Sequence, residues 1–550
     1  MDGQLCGGAR GEQCLPHFRT RPSFQSLSTR SGGPRHLLSW VAMLYEPPWG
    51  DRYLWDTWLL PVEEGFHLFH MQKVAGEADS IEIGHAFSPD LVKWTGLEPA
   101  LAVREEGAWD SVRLRTGDVL KRGDRYFLFY GSAPDHVDRV GVAASTDLLH
   151  WERHGSNPIA VPDGRWYEHD HATCAIPNVP WRDPCVRRDP QGDGWIMYLT
   201  ARHREGPAGG RGTIATLRSP GSGPDELVRW EVGPPLDVMP GYSVMEVPDV
   251  FELDGKWYLL HSTTHGMGTR YPTCDPRLTA GTFVLWADRP EGPYTRPPRD
   301  ILVASPGGRT TAYVARTAQT KWGRIAYYHN VYPQPPGSRA RRGSFALPKR
   351  LRADAEGLQL VYLPLLERYA GDALPLREAP PVGGRARDGE WEVHGGGLTG
   401  RVSYGGEALA LDVEAEDVMV TATVTVEAGQ AAGVGVRVRE DGRGLGVILN
   451  ARLGTVSVVE LDRGGGGVVW RALAERRADV REGVPVAVRV VAVRNVVDVF
   501  LDEALLLSVV AEGYGSGNVV FLADDAKVHA ATMCVHRLDL PAVADGWRRA

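Results

Sequence analysis

The chain has 550 residues, more than one hydrophobic core can serve and enough for roughly two to four units of ordinary size. Its 61 Lys and Arg stand against 69 Asp and Glu, which leaves no electrostatic footprint for nucleic acid and no polybasic patch for a membrane surface. Apolar runs are short and broken by charge, so none has the length of a transmembrane helix and a soluble protein is expected.

Residues 1–40 are rich in Gly, Arg and Ser and read as an irregular or disordered arm. They carry no basic stretch followed by an apolar one, so the expected location is cytoplasmic, with secretion the alternative if the start site is misassigned. Cys6, Cys14, Cys174, Cys185, Cys274 and Cys534 are scattered without a CxxC pair. That pattern fits reduced thiols better than a disulfide framework or a zinc site.

Next comes Trp55-Asp56-Thr57-Trp58, running into LLPVEEGFHLFHM where a strand begins. An acid flanked by two indoles is what a sugar-cleaving pocket needs, a carboxylate for chemistry and flat apolar faces for the ring. Trp55 and Trp58 are therefore candidate stacking residues.

From there the chain repeats itself. GHAFSPDLVKW at 84–94 recurs as GVAASTDLLHW at 141–151, loosely as TIATLRSPGSGPDELVRW at 213–230, and in degraded form as GTFVLWADRPEGPY. Each copy is an alternating strand that ends in a Ser/Asp turn and closes on Trp or Tyr. Strand pairs lie around these copies: FHLFHMQ, then DVLKRGDRYFLFYGS (118–132), CVRRDPQGDGWIMYLTAR (185–202), DVFELDGKWYLLHSTTHG (249–266) and TKWGRIAYYHNVY (320–332). Their RGD and LDG junctions read as tight hairpins. Five units of about four short strands predict a five-bladed β-propeller over 41–365, with a β-sandwich meander as the alternative.

After a Pro-containing linker at 366–385, Trp and Tyr become rare and alternation becomes clean, as in VMVTATVTVEA, AGVGVRVRED and VPVAVRVVAVRNVVDVFLDEALLLSVV. Such runs predict an antiparallel β-sandwich over 386–550.

Aligned by their hairpins, the repeats place Asp56, Asp183 and Glu246 near the starts of strands in the first, third and fourth units. Inner strands of a propeller line its central channel, so these acids are expected to converge. Two such acids suffice for glycoside hydrolysis, one as nucleophile or base and one as proton donor, and a third can hold hydroxyls or tune the donor. Glu246 in SVMEVPDV is expected in an apolar setting that suits a general acid, and Arg182 is expected to keep Asp183 ionised. Glu246 falls one position earlier than the other two, which requires a bulge or a different strand start, because strand side chains alternate faces.

These residues support a resemblance. Arg182-Asp183-Pro184 looks like the Arg-Asp-Pro signature of the glycoside hydrolase clan of families 32 and 68, the invertases, fructanases and levansucrases. Glu246-Val247-Pro248-Asp249 resembles the Glu-Cys-Pro-Asp motif of family 32, and GHAFSPDLVKW its Trp-Gly-His-Ala strand. Trp55-Asp56-Thr57-Trp58 is more similar to the Trp-Asp-Ser-Trp of family 68. RGSFALPKRLR and VVDVFLDEALLLS resemble family 32 segments of the last blade and the C-terminal sandwich.

The resemblance implies Asp56 as nucleophile, Asp183 as transition-state stabiliser gripping furanose hydroxyls and Glu246 as acid/base, in a retaining reaction through a fructosyl-enzyme. Arg182, Asp110 and Arg115 join Trp55 and Trp58 as candidate substrate-binding residues. The sequence also departs from the pattern. WDSVRLRTGDV puts Asp110, Arg113 and Arg115 where family 32 has small hydroxyl residues, and Met71 stands where Gln is expected. The Arg-Thr-Gly feature is closer to arabinan-degrading five-bladed families, whose mechanism inverts.

His169, His171 and Cys174 match no zinc spacing and read as an inter-blade loop. His261, His265 and His329 are each expected in satisfied structural roles, with pocket lining or an axial ion as alternatives. No GxGxxG, P-loop or Ser/His/Asp order stands in a strand-to-helix context. The sequence therefore predicts a β-fructofuranosidase with no cofactor and no metal, acting on carbohydrate and not on nucleic acid or membranes. The alternatives are a pentofuranosidase on the same scaffold and a non-catalytic carbohydrate-binding propeller, and oligomeric state stays open.

Overall fold

Gly- and Asp-bearing turns punctuate the alternating runs into antiparallel strands. In this computed structural model the described residues are 41–42, 45–47, 52–74, 81–105, 107–174, 176–219, 223, 226–264, 267, 278–306, 311–332, 343–378, 389–464 and 467–540. The N-terminal arm, Cys6, Cys14, Cys274 and His265 lie outside them. Among the described residues no helix is long and apolar enough to cross a membrane.

Four antiparallel sheets succeed one another along the chain. Their innermost strands are Arg52–Val62, Leu114–Arg122, Arg182–Arg188 and Glu246–Leu253, each at one end of its sheet. A further run, Ala312–Thr320, Gly323–Val331, Lys349–Asp354 and Gly357–Val361, is built the same way but continues through one register pair, Val361 with Ala504, into the C-terminal strands. The five innermost strands touch in cyclic order, Ala312–Thr320 closing on Arg52–Val62.

The cores lie between neighbouring sheets. Trp58, Phe69, Leu128 and Tyr130 join the first and second; Phe129, Trp181 and Met197 the second and third. Tyr198, Leu259 and Leu285 join the third and fourth, and Tyr258, Val284 and Tyr328 the fourth and the further run. The last cluster brings Leu54, Trp94 and Ile325 together with Met419, Val491 and Phe500, so the C-terminal strands share a core with the ring.

The repeated phrase has a physical reason. In the first copy Asp90 Oδ1 accepts from the Val92 and Lys93 amides at 2.9 and 2.7 Å, Leu91 turns at φ 66°, and the Trp94 indole donates to Leu91 O at 3.2 Å. Asp147, Leu148 (φ 65°) and Trp151 repeat these contacts, and Trp230 donates to Leu227 O in the third copy. The first two phrases are thus Asx turns locked by an indole, and the third keeps the indole bond. The LDG hairpin places Asp254 and Gly255 at φ 52° and 78°, the two left-handed residues that a tight type I′ connection needs.

In the C-terminal region three long strands, Gly397–Ala415, Val418–Val438 and Gly517–Arg537, run side by side. Bulges bend them, so the first half of Val418–Val438 pairs with Val486–Val493 and its second half with Gly444–Asn450. Every member of the cluster they enclose is apolar, from Leu398 to Val535.

Candidate active site

All five innermost strands carry a register shift at the same place. Leu54, Leu114, Arg182, Glu246 and Tyr313 pair with Gln72, Ser132, Thr200, Ser262 and His329, and pairing resumes three residues later against a partner only two residues back. Each strand therefore bulges at two residues: Trp55-Asp56, Arg115-Thr116, Asp183-Pro184, Val247-Pro248 and Val314-Ala315. The three acids occupy three successive positions of this motif. Glu246 stands before its bulge, Asp183 first within it and Asp56 second, which resolves the offset seen in the sequence. Asp183, Val247 and Val314, all first in the bulge, adopt φ of 57°, 50° and 54°. For β-branched valines this is a costly conformation, about 1–3 kcal/mol each, and such strain gathers at functional sites.

The bulges open onto a cavity of about 740 Å³ lined by Trp55, Asp56, Met71, Arg113, Arg115, Thr116, Arg182, Asp183, Glu246, Tyr313 and His329, among others. One register position on three successive inner strands gives a hydrogen-bonded chain. Arg182 Nη2 donates to Glu246 Oε1 at 2.8 Å, and the Tyr313 hydroxyl donates to Glu246 Oε2 at 2.9 Å. Both oxygens of Glu246 are thereby oriented. Thr116 Oγ1 donates to Asp56 Oδ2 and lies 3.3 Å from Met71 Sδ, so Met71 packs behind the hydroxyl that aims Asp56. Asp183 Oδ2 accepts from Thr200 Oγ1 at 2.8 Å and from the Val247 amide at 3.2 Å, the strained backbone paying for itself in part by supplying that donor.

Burial pushes the Asp56 carboxyl up to about 7, with repulsion from Asp183 and then Glu246 adding to it and the Thr116 hydroxyl opposing it. Burial also raises Asp183, against the pull of Arg182. The expectation that Arg182 keeps Asp183 readily ionised is thus corrected. Arg182 Nε is 3.5 Å from Asp183, while its Nη atoms reach Asp138 at 3.0 Å and Glu246 at 2.8 Å. The apolar setting expected for Glu246 is corrected too, since its side chain faces a guanidinium and a phenol.

Trp55, Arg182 and Arg115 line the cavity as expected of binding residues. Trp58 does not. It is 1 % exposed, stacks on Phe69 and lies under Gly117, where a Cβ would stand 2.9 Å from its ring, so it is core. Asp110 is fully buried away from the cavity, accepting from Tyr130 at 2.9 Å and Arg153 at 2.8 Å, and is structural. His261 packs between Tyr242 and Phe283, and His329 lines the cavity. Neither ring has a hydrogen-bond partner among the described residues, contrary to the expected satisfied roles. Cys174 Sγ contacts Glu168 Oε2 at 3.0 Å, and His171 contacts Pro177 O and stacks on His136.

Sequence reasoning missed Thr116, Asp138, Thr200 and Tyr313. Thr116 and Tyr313 sit in the same bulge motif as the acids, so completing the repeat alignment across all five units was the available signal. Beneath the site, Asp118 and Asp249 are crossed by Arg187 and Arg316: Arg187 reaches Asp118 at 2.8 Å and Asp249 at 2.6 Å, and Asp249 also accepts from the Thr317 amide at 2.7 Å. This ion-pair floor ties four inner strands together.

With this geometry in view, residues 59–283 match the model for the glycosyl hydrolases family 32 N-terminal domain. An insoluble beta-fructofuranosidase isoenzyme of Arabidopsis thaliana is 27% identical over 196 residues, 34% of this chain and 32% of the relative. A fructan 1-exohydrolase of Aegilops tauschii is 27% identical over 202 residues, 34% of this chain and 29% of that protein. The matched stretch thus spans about a third of the length of these curated relatives. Among solved structures, the fold is similar to a family 32 beta-fructofuranosidase of Bombyx mori, with TM-score 0.63 and 18% identity over 91% of this chain and 95% of that one. It is likewise similar to an exo-inulinase of Aspergillus awamori, with TM-score 0.62 and 15% identity over 90% and 97%. These matches bear out the resemblance to glycoside hydrolase family 32: residues 59–283 fit the model for its N-terminal domain, and the fold is shared with solved family 32 structures.

Proposed function

We propose that this chain is a β-fructofuranosidase that works by retaining double displacement on a five-bladed propeller. Asp56 is the nucleophile, Glu246 the acid/base and Asp183 the grip on the furanose hydroxyls, with Trp55 and Arg182 on the substrate. The reading rests on one observation: carboxylates from three different inner strands line a single cavity, and one of them, Glu246, is oriented through both oxygens while another, Asp56, is aimed by a hydroxyl. We count the run Ala312–Val361 as the fifth blade, since its inner strand carries the same bulge and closes the ring. We take 41–365 as the catalytic domain and 386–550 as a sandwich of two sheets that share the three bent strands.

The chemistry follows the geometry. Asp56 attacks the anomeric carbon, Glu246 protonates the departing oxygen, and the fructosyl-enzyme is then opened by water that Glu246 deprotonates. Asp56 must ionise to attack. Its raised carboxyl is a strong nucleophile once charged, and loss of its proton is favoured as pH rises through about 7. Glu246, Asp183 and Asp138 share Arg182, so three carboxylates meet one guanidinium, and the acids are not neutralised one by one as in a purely structural cluster.

The test is a panel of sucrose, inulin-type oligosaccharides and aryl furanosides assayed with the wild type. Fructose release is expected. Arabinose release without fructose would keep the site and discard the substrate, and binding without turnover would favour the non-catalytic propeller.

A further inference from the structure

We infer that Asp138 is a positioning residue, which fixes the proton donor by fixing Arg182. The inference rests on the glycosidase reading above. Asp138 comes from none of the bulges. It ends the short link between strands Arg125–Ser132 and Arg139–Ser145, and its backbone is pinned to the neighbouring segment: Asp138 N donates to Val179 O at 3.0 Å and Val179 N to His136 O at 2.9 Å. Its side chain is fully buried behind the cavity wall.

The buried carboxylate meets two guanidiniums. Arg182 Nη1 donates to Asp138 Oδ2 at 3.0 Å in an aligned hydrogen bond. Arg115 Nε stands 2.6 Å from Asp138 Oδ1 but off the hydrogen-bonding direction, an ion pair without a hydrogen bond. Gly131 makes room for both stems, since a Cβ there would lie 3.1 Å from Arg115 Cβ and 3.5 Å from Arg182 Cβ.

Arg182 is a long side chain whose guanidinium is a rigid planar fork. Anchoring one nitrogen at Asp138 sets the plane, which presents Nη2 to Glu246 and the Nε edge to Asp183 at the looser distance of 3.5 Å. Released from Asp138, the fork is free to turn toward either acid and pair with it through two nitrogens, the geometry that guanidinium and carboxylate prefer. Asp138 thus prevents Arg182 from collapsing onto one catalytic carboxylate. It does not line the cavity, and its hold on the proton donor runs through Arg182.

Removing Asp138 alone leaves Arg115 and Arg182 facing each other, which endangers folding. The experiment therefore compares R115M with R115M/D138A, so that the excess charge leaves with the carboxylate. Sucrose needs a protonated leaving group; 4-nitrophenyl β-D-fructofuranoside, with an acidic phenol, needs little help. A disturbed donor is expected to lower kcat on sucrose by about 10²-fold with KM little changed, while the nitrophenyl substrate loses less than about threefold. Equal losses on both substrates, or none, overturn the inference. A crystal structure of the double variant gives a readout free of turnover: an Arg182 guanidinium turned out of its wild-type plane, onto Glu246 or Asp183 through two nitrogens, supports the role, and a fork left in the wild-type plane with Nη2 alone on Glu246 overturns it. Wild type that releases no fructose from either substrate defeats the functional reading, and the crystallographic arm still decides what Asp138 does.

Discussion

Along the three bent strands of the C-terminal region the interior is a valine lattice, with Val420, Val434, Val447, Val490 and Phe521 packed in one apolar cluster. Along the propeller axis the interior holds Asp118, Arg187, Asp183, Asp249 and Arg316. Both regions are antiparallel sheet. The first is stabilised by area removed from water, about 25 cal/mol per Å², and tolerates exchange of one apolar residue for another of similar volume. The second holds charges that are costly to bury unless each meets its partner, so its side chains are fixed by geometry rather than by size. A site assembled from such an axis needs a scaffold whose stability comes from elsewhere, from the inter-sheet clusters and the C-terminal core.

Substitutions in the two regions should therefore separate activity from stability. The largest effect is expected from D56N, which removes the proposed nucleophile while keeping the shape: kcat/KM on a β-fructofuranoside should fall by about 10⁴-fold with the fold intact by circular dichroism. Phe521→Ala should do the reverse. It opens a cavity in the apolar cluster and should cost about 3–5 kcal/mol in denaturant unfolding, with kcat unchanged under native conditions. A comparable loss of kcat in Phe521→Ala would show that the two regions are coupled more tightly than this division allows.

Smaller effects sharpen the comparison. Y313F deletes one hydrogen bond to the Glu246 carboxylate and should lower kcat/KM by about 10- to 100-fold, as expected for a bond to a charged group worth about 1.5–3 kcal/mol. The least of these effects is a pH-dependent stability difference at Asp56. Its carboxyl sits at about 7 in the folded protein against 3.8 ordinarily, so the folded state holds the proton more tightly. The stability that comes with that proton is complete below about pH 4 and is lost as pH rises through about 7. D56N escapes this loss, so it should melt at a higher temperature than wild type at about pH 8, with the gap narrowing as pH falls below about 7 and closing at about pH 4. The acid limb of kcat/KM should fall near the same pH. A wild type that gains stability over D56N as pH rises would contradict the burial of Asp56.

Much of this was legible beforehand, because period-two alternation, the Ser-x-Asp-Leu-x-x-Trp phrase and the hairpin turns are local signals. The bulges were harder to read. Two of them leave a trace, since Pro184 and Pro248 cannot donate to a ladder and follow Asp183 and Val247 directly, but Trp55-Asp56 and Arg115-Thr116 leave none. The burial of Trp58 depends on Gly117 in the next sheet, and that of Asp110 on Tyr130 and Arg153. Such contacts join residues that are tens of positions apart, and no spacing in the sequence encodes them. Asp138 escaped for the same reason, as nothing near it in the chain announces two half-buried arginines from the cavity wall.

The measurement that bears most directly on the central claim is to trap the intermediate. Incubating E246Q with an activated fructofuranoside, which leaves without a proton, should form the fructosyl-enzyme and slow its hydrolysis. Digestion and mass spectrometry should then find one fructosyl group esterified to Asp56. An adduct on another residue, or turnover that releases inverted fructose without any adduct, would contradict the account.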